Sequence, residues 1–289
     1  MFNFNLSVKI YRSIVIMNKK CIVLIGCLIS VFCACNMKVS KEVTESQKIE
    51  VADSVWGDYF IGNIIFEDKA PKSEGSRIYH DLIPDPKSYI SRQARTVLNT
   101  LYYSPEDSIA PVHTLHYTLE DIDGISAKGG SDGDISIFYS TRHIAKSFVN
   151  NDTAKVDFET RGVLLHELTH AYQLEPQGIG TYGTNKVFWA FIEGMADAVR
   201  IANGGFHGEK DRPKGGSYMD GYRKAGYFFV WLRDNKDPDF LRKFNRSTLE
   251  VIPWSFDGGI KYALGKSYDI DTLWREYQVA VGDIEENKQ

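Results

Sequence analysis

The chain has 289 residues, and its 43% hydrophobic and 25% charged content is that of an ordinary folded protein rather than a disordered or fibrous one. Residues 1–35 carry four basic side chains and no acidic one, so the net charge of −4 becomes −8 for the remainder. A chain this acidic argues against a nucleic-acid partner, because binding to phosphates depends on clustered lysine and arginine.

The first 35 residues have the pattern of a bacterial export signal. Two lysines follow Met17, and the apolar stretch at 21–34 is too short to span a membrane as a helix. The stretch ends in Phe-Cys-Ala-Cys, which resembles a loose lipobox in which Cys35 is lipidated and becomes the mature N-terminus. Residues 1–16 then form an upstream extension. We expect a protein of the bacterial cell envelope that touches the membrane only through this lipid; cleavage and secretion without lipidation is the alternative.

All four cysteines lie in this signal segment, so the mature chain has neither a disulfide nor a cysteine ligand for a metal. Residues 36–55 are polar and rich in Ser, Lys and Glu, which predicts a tether between the lipid and the folded part. Residues 56–284 then form one domain, which is long enough to bury a sizeable core.

Strand patterns dominate the first part of the domain. Alternating apolar residues predict three strands, at 59–66, 112–119 and 134–139. Apolar residues at helical spacing predict a helix at 85–101, and the glycines of 129–133 predict a turn. We predict that residues 135–138 form an edge strand beside a cleft, where an extended peptide could add to the sheet. A buried hairpin strand without substrate contact is the alternative.

Residues 166–170 read His-Glu-Leu-Thr-His within an apolar run that Pro176 ends. On a helix, residues four apart lie on one face, so His166 and His170 can bind the same metal ion. Glu167 can then reach a water molecule beside that ion. This is the arrangement of zinc metalloproteases, in which the glutamate is the general base. Two surface histidines beside an exposed glutamate are the alternative interpretation.

A catalytic zinc takes three protein ligands and leaves a fourth position for water. The extended pattern H-E-x-x-H-x-x-G-x-x-H is absent, since neither its glycine nor its last histidine is present. A second apolar helix at 188–200 carries Glu193 and Asp197 on one face. Burying a carboxylate costs free energy unless a partner or a metal ion compensates its charge. We therefore predict that Glu193 is the third metal ligand and that Asp197 accepts a hydrogen bond from the other ring N–H of a ligand histidine. Asp197 as the ligand, or an Asp197–Arg200 ion pair with Glu193 at a pocket edge, are the alternatives.

The remainder of the chain is predicted to be helical, at 218–233, 238–245, 253–264 and 270–279, and to complete the core behind the cleft. The glycine-rich residues 204–216 are interpreted as a solvent loop or as a cover for the cleft. Four scattered histidines are interpreted as structural: His80, His113, His116 and His143.

The blocks LLHELTHAYQ, FIEGMADAVRIANG, GYRKAGYFFVWLRD and LGKSYDIDTLWREY resemble the basic secretory proteins of plants and bacteria, peptidases of the zincin-like superfamily. The resemblance implies an α+β fold, in which a small twisted sheet precedes the active-site helix and the C-terminal half is mainly helical. It also implies a gluzincin-type site with one zinc ion on His166, His170 and Glu193 and with Glu167 as base. The sequence pI of about 6.0 departs from the family's basic character.

Hydrolysis also requires a group that stabilises the oxyanion, and Tyr222, in the block GYRKAGYFFVWLRD, is our candidate. Together these observations predict a monomeric, zinc-dependent hydrolase of peptides or proteins. A non-catalytic zinc-containing envelope lipoprotein that binds a protein or glycan is the alternative, and hydrolysis of a non-peptide amide is another. The presence of Glu167 favours the enzyme, because a binding module does not need a general base.

Overall fold

The computed structural model describes residues 45–285. This part of the chain contains four strands, namely β1 (Asn63–Asp68), β2 (Thr114–Glu120), β3 (Ser126–Ser131) and β4 (Asp134–Ser140). It contains ten α-helices, namely α1 (Glu45–Trp56), α2 (Glu74–Leu82), α3 (Pro86–Leu101), α4 (Thr141–Ser147), α5 (Thr153–Tyr172), α6 (Lys186–Ala202), α7 (Tyr222–Asn235), α8 (Phe240–Glu250), α9 (Phe256–Leu264) and α10 (Ile270–Ala280). The predicted α+β class, with a small sheet followed by a mainly helical half, is confirmed.

The strands form one sheet in the order β1-β2-β4-β3. The first three of these run parallel, whereas β3 is antiparallel to β4. The prediction that residues 135–138 form an edge strand is therefore wrong, because β4 is paired on both sides. Its alternating buried residues Ile135, Ile137 and Tyr139 reveal a strand but not its place in the sheet. The edge strand is β3, whose sequence Ser-Ala-Lys-Gly-Gly-Ser lacks apolar alternation and whose glycines predict a turn instead.

The helix predicted at 85–101 is confirmed as α3. The Asp85 side chain accepts a hydrogen bond from the Ser88 amide, and Pro86 occupies the first turn, where an amide hydrogen has no intrahelical partner. Its apolar positions at helical spacing are all buried: Ile90, Ala94, Val97, Leu98 and Leu101. This face packs against α1, α5 and β1 and so joins the sheet to the helices.

The segment predicted as a tether is helical from Glu45 onward. Ala52 and Trp56 of α1 are fully buried, and the Trp56 indole donates to Asn99 Oδ1 at 3.4 Å. These two residues are four apart on one face, and the polar composition around them conceals that face. The folded part thus begins before residue 56. Residues 36–44, the predicted lipidation site Cys35 and the predicted extension 1–16 lie outside the described residues.

The C-terminal helices follow the predicted order, with later starts for three of them. A 3-10 turn at Tyr218–Asp220 precedes α7, and α8 and α9 begin two and three residues after the predicted positions. Rings from α6 to α9 and from the loop between α8 and α9 pack in an aromatic cluster formed by Phe191, Phe229, Phe244, Trp254 and Phe256. Between residues 45 and 285, no helix has both the length and the apolarity needed to cross a membrane.

Candidate active site

Two neighbouring helices carry the residues of the predicted metal site. α5 begins after Asp152, whose side chain accepts a hydrogen bond from the Lys155 amide. α6 begins after Asn185, whose side chain caps the Val187 amide in the same way. The two helices pack against each other, and both are buried around the predicted ligands. Their polar side chains therefore need partners within the fold.

The predicted ligands converge on one point. The Nε2 atoms of His166 and His170 lie 3.0 Å apart, and Glu193 Oε2 lies 3.3 Å from the first and 3.6 Å from the second. Glu193 is 3% exposed, and its Oε2 has no hydrogen-bond partner among the described residues. A buried carboxylate oxygen without a partner is unfavourable unless a cation binds it. These three side chains could hold a metal ion.

Asp197 lies on the other side of His166, with Oδ1 2.7 Å from His166 Nδ1. This contact leaves His166 Nε2 directed at the other two groups. Neither alternative for Asp197 matches this geometry, since it faces Nδ1 and since Arg200 instead pairs with Glu159 at 2.9 Å. α7 restricts Asp197 further, because a Cβ on Gly226 would lie only 2.9 Å from the Asp197 Cβ.

The three groups line a cavity of about 850 Å³. Glu167 lines the same cavity and is only 6% exposed. The edge strand β3 contacts α5 and contributes Ser126, Ala127 and Lys128 to the lining, and Tyr222 contributes from α7. A strand edge, a candidate base and a candidate metal site therefore share one cleft.

A family model described as BSP, peptidase of plants and bacteria, matches residues 63–277. The chain belongs to this family. The match includes the whole sheet and both helices of the site. No curated protein and no solved structure matches the chain. Membership of this peptidase family supports a hydrolase whose substrates are peptides or proteins, and the predicted resemblance to the basic secretory proteins is confirmed.

In this peptidase, His170 has a supporting side chain that the sequence analysis missed. The side-chain amide of Gln173 lies 2.8 Å from His170 Nδ1, and its Oε1 is buried without a partner. A histidine that offers Nε2 to a metal carries its hydrogen on Nδ1, so the amide oxygen is the atom that suits this contact. The spacing of three residues from His170 was the available signal.

Two tyrosines lie beside the candidate metal site of this peptidase. Tyr182, in the loop between α5 and α6, donates a hydrogen bond to Glu193 Oε1 at 2.6 Å, and no sequence pattern marks it. The Tyr222 ring stacks on His166, with 6.1 Å between ring centroids and 10° between planes. Tyr222 has a φ of 42°, a conformation that costs a non-glycine residue about 1–3 kcal/mol. The fold therefore holds this ring at the site against a backbone preference.

The electrostatics of the site favour positive charge. Burial opposes a charge on His166, but the Asp197 carboxylate at its Nδ1 and the nearby Glu193 carboxylate raise its pKa to about 10. Burial would raise the pKa of Glu193, but the two imidazoles hold it well below its usual value. Burial and the neighbouring Glu193 raise the pKa of Tyr182, so its phenol stays protonated. A proton on His166 supplies positive charge to the site, and a divalent cation can supply that charge in its place.

The histidines interpreted as structural lie away from this cavity, since none of the four lines it. His80, His116 and His143 each lie 3.0–3.3 Å from a carboxylate oxygen. The glycine-rich loop contributes more than a solvent connection, because Phe206 lines the cavity.

Proposed function

We propose that this protein is a zinc-dependent peptide-bond hydrolase in which His166, His170 and Glu193 hold one zinc ion. The observation that carries the proposal is the buried, unpartnered Glu193 Oε2 between the two imidazoles. Tetrahedral ligands at about 2.0–2.1 Å from zinc lie about 3.3–3.4 Å from one another. The three ligand atoms lie 3.0, 3.3 and 3.6 Å apart, which fits that requirement.

The donor set also fits zinc chemically. Imidazole nitrogens suit zinc, carboxylates are among its common ligands, and three protein ligands are the usual number in its catalytic sites. When bound, zinc supplies Lewis acidity, which polarises a carbonyl and allows water to lose a proton near neutral pH. Asp197 and the Gln173 amide orient the two imidazoles towards that ion.

Glu167 is the proposed general base. Its carboxylate accepts a proton from the water that attacks the scissile carbonyl and then delivers that proton to the departing amine. Its place in the cavity and its low exposure support this role, because little bulk water competes for the proton.

We propose that Tyr222 donates a hydrogen bond to the oxygen of the scissile carbonyl as negative charge develops on it. Its position over His166 supports this role. Tyr182 is a second candidate, because its hydroxyl already lies at the ligand Glu193. The edge of β3 along the cavity offers backbone groups for an extended substrate chain, a role first predicted for β4.

The proposal extends to the location of the enzyme. We propose that Cys35 is lipidated, that the enzyme is anchored in the bacterial cell envelope, and that it acts as a monomer. Mass spectrometry of the N-terminal peptide of membrane-extracted protein tests the lipid. Release of the wild-type protein without a lipid would instead support secretion.

The proposed activity is tested by removing zinc and the base separately. The purified protein is assayed on a peptide library before and after chelation, and again after zinc is restored. We expect activity to vanish and return, and Glu167→Gln to lower kcat about 10²–10⁴-fold while zinc content is unchanged. Glu250→Gln, an exposed glutamate on α8 that does not line the cavity, is the control. Wild-type rates in Glu167→Gln, or activity unaffected by chelation, would exclude the mechanism and favour the binding-protein alternative.

A further inference from the structure

One end of the cleft contains two arginines and a phenylalanine that the hydrolytic mechanism does not use. Arg200, Phe206 and Arg223 all line the cavity that contains the candidate metal site. The guanidinium carbon of Arg200 lies 4.0 Å from the centre of the Phe206 ring, and that of Arg223 lies 5.8 Å from it. The ring thus joins the two cations into one surface.

Arg200 is held firmly in this surface. It donates to the Gly205 carbonyl at 3.0 Å and to Glu159 Oε2 at 2.9 Å, and it is 9% exposed. A Cβ on Gly162 would lie 2.6 Å from its Nε, and one on Gly205 would lie 2.5 Å from its Cγ. The two glycines therefore leave the space that the arginine fills, and Glu159 balances its charge.

Arg223 provides the charge that is not balanced. Its side chain is exposed and donates to the backbone carbonyl of Asp211 at 3.2 Å. No carboxylate in residues 45–285 lies within ion-pair distance of its guanidinium. An arginine in a cleft can bind an incoming carboxylate through two parallel hydrogen bonds.

The two arginines lie at one level of the cleft along α5. Arg200 contacts the helix near its middle, at Gly162, and Gln173, just past the C-terminal end of the helix, supports His170. Eleven residues of helix separate these levels, which is about 16 Å. Glu175, two residues beyond Gln173, also lines the cavity, and Lys128 of β3 is the third cation in the lining. Arg223 therefore lies at the Arg200 level of the cleft, and the two histidines lie between this level and Glu175.

We propose that Arg223, supported by Phe206 and Arg200, binds a carboxylate of the peptide substrate next to the scissile bond. This inference rests on the proposed peptidase function and adds a substrate class to it. The carboxylate belongs either to an aspartate or glutamate side chain or to the C-terminus of a short peptide, and the two sources require different assays.

The test uses pairs of zinc-loaded cleavage assays on matched peptides. In the first kind of pair, one peptide has Glu and the other has Gln at the same position, and both C-termini are amidated. The comparison is repeated at each position around the cleaved bond. A second pair differs by a free against an amidated C-terminus, with neutral side chains. In one of the two kinds of pair, we expect the peptide with the carboxylate to be cleaved with about 10-fold higher kcat/KM, mainly because its KM is lower. We expect Arg223→Gln to bring that ratio to about one by lowering kcat/KM far more for the carboxylate member than for the neutral member.

Arg233→Gln is the matched control, because this arginine lies on the same helix, outside the cavity, and pairs with Asp234. Arg223→Glu should reverse the preference towards lysine-bearing peptides. Equal rates on both members of each pair, or the same loss of preference in Arg233→Gln, would overturn the inference while leaving the peptidase function intact.

Absence of all cleavage would instead refute the proposed function, and calorimetric binding of the same peptides to Glu167→Gln would then decide the inference. Carboxylate-dependent binding that Arg223→Gln abolishes supports the site. Equal or absent binding of both members overturns it.

Discussion

Replacing Asp197 by asparagine tests whether its carboxylate prepares His166 for a metal ion. Its Oδ1 lies 2.7 Å from His166 Nδ1, and the residue is 4% exposed, so water has little room to replace it. Asparagine fills the same space, but it has no charge and can present an N–H to Nδ1. That contact would favour the tautomer with hydrogen on Nε2, and a protonated Nε2 cannot bind the metal ion.

Loss of such a supporting carboxylate weakens metal binding about 10–100-fold. This range corresponds to about 1.4–2.7 kcal/mol of binding free energy. We expect the upper part of the range, since Gly226 of α7 packs closely against Asp197 and leaves the new side chain no room to move away.

Competition with a chromophoric chelator measures the zinc affinity, and thermal unfolding of the metal-free proteins shows whether each variant folds. Asp234→Asn removes the same charge from an exposed aspartate on α7 and is the control. Wild-type zinc affinity in a folded Asp197→Asn would refute the role of the pair. An equal loss in Asp234→Asn would show that net charge, rather than this contact, determines the affinity.

Three further substitutions test other contacts. Gln173→Ala should weaken zinc binding about 10-fold because His170 loses its partner, whereas Gln173→Glu should retain the affinity. Equal zinc affinities of Gln173→Ala and the wild type would contradict this expectation. Tyr182→Phe removes the hydroxyl that donates to Glu193 and should weaken zinc binding by about 1 kcal/mol in the same assay. An unchanged zinc affinity would show that this hydrogen bond does not support the ligand. Asp283→Ala removes two 3.0 Å hydrogen bonds from the buried Arg212 guanidinium, which keeps its ion pair with the exposed Glu209. The substitution should lower the free energy of unfolding in urea by about 2–3 kcal/mol, which an unaltered midpoint would contradict.

The convergence of the candidate ligands could be predicted from the sequence because helical spacing is a local property. His166 and His170 are four residues apart on one helix, and Glu193 and Asp197 are four apart on another. A buried carboxylate requires a partner, and this requirement linked the two helices before their packing was known. The boundaries of α3 followed in the same way from a cap and an apolar period.

The position of β3 could not be predicted, because strand order depends on pairings between distant residues. Neither the small residues of β3 nor the regular alternation of β4 indicates which strand lies at the edge. Tyr182 was missed for a related reason, since a loop residue reaches Glu193 only after the fold has formed. The anchoring of α1 by Ala52 and Trp56 was hidden by the polar residues around them.

The metal content of purified protein tests the central proposal most directly. Mass spectrometry with inductively coupled plasma gives the zinc bound per chain after dialysis against trace zinc, for the wild type, Glu193→Ala and Glu167→Gln. We predict one zinc per chain in the wild type and in Glu167→Gln, and loss of that zinc in a folded Glu193→Ala. Zinc retained in full by Glu193→Ala, or absent from the wild type, would contradict a metal site formed by these two helices.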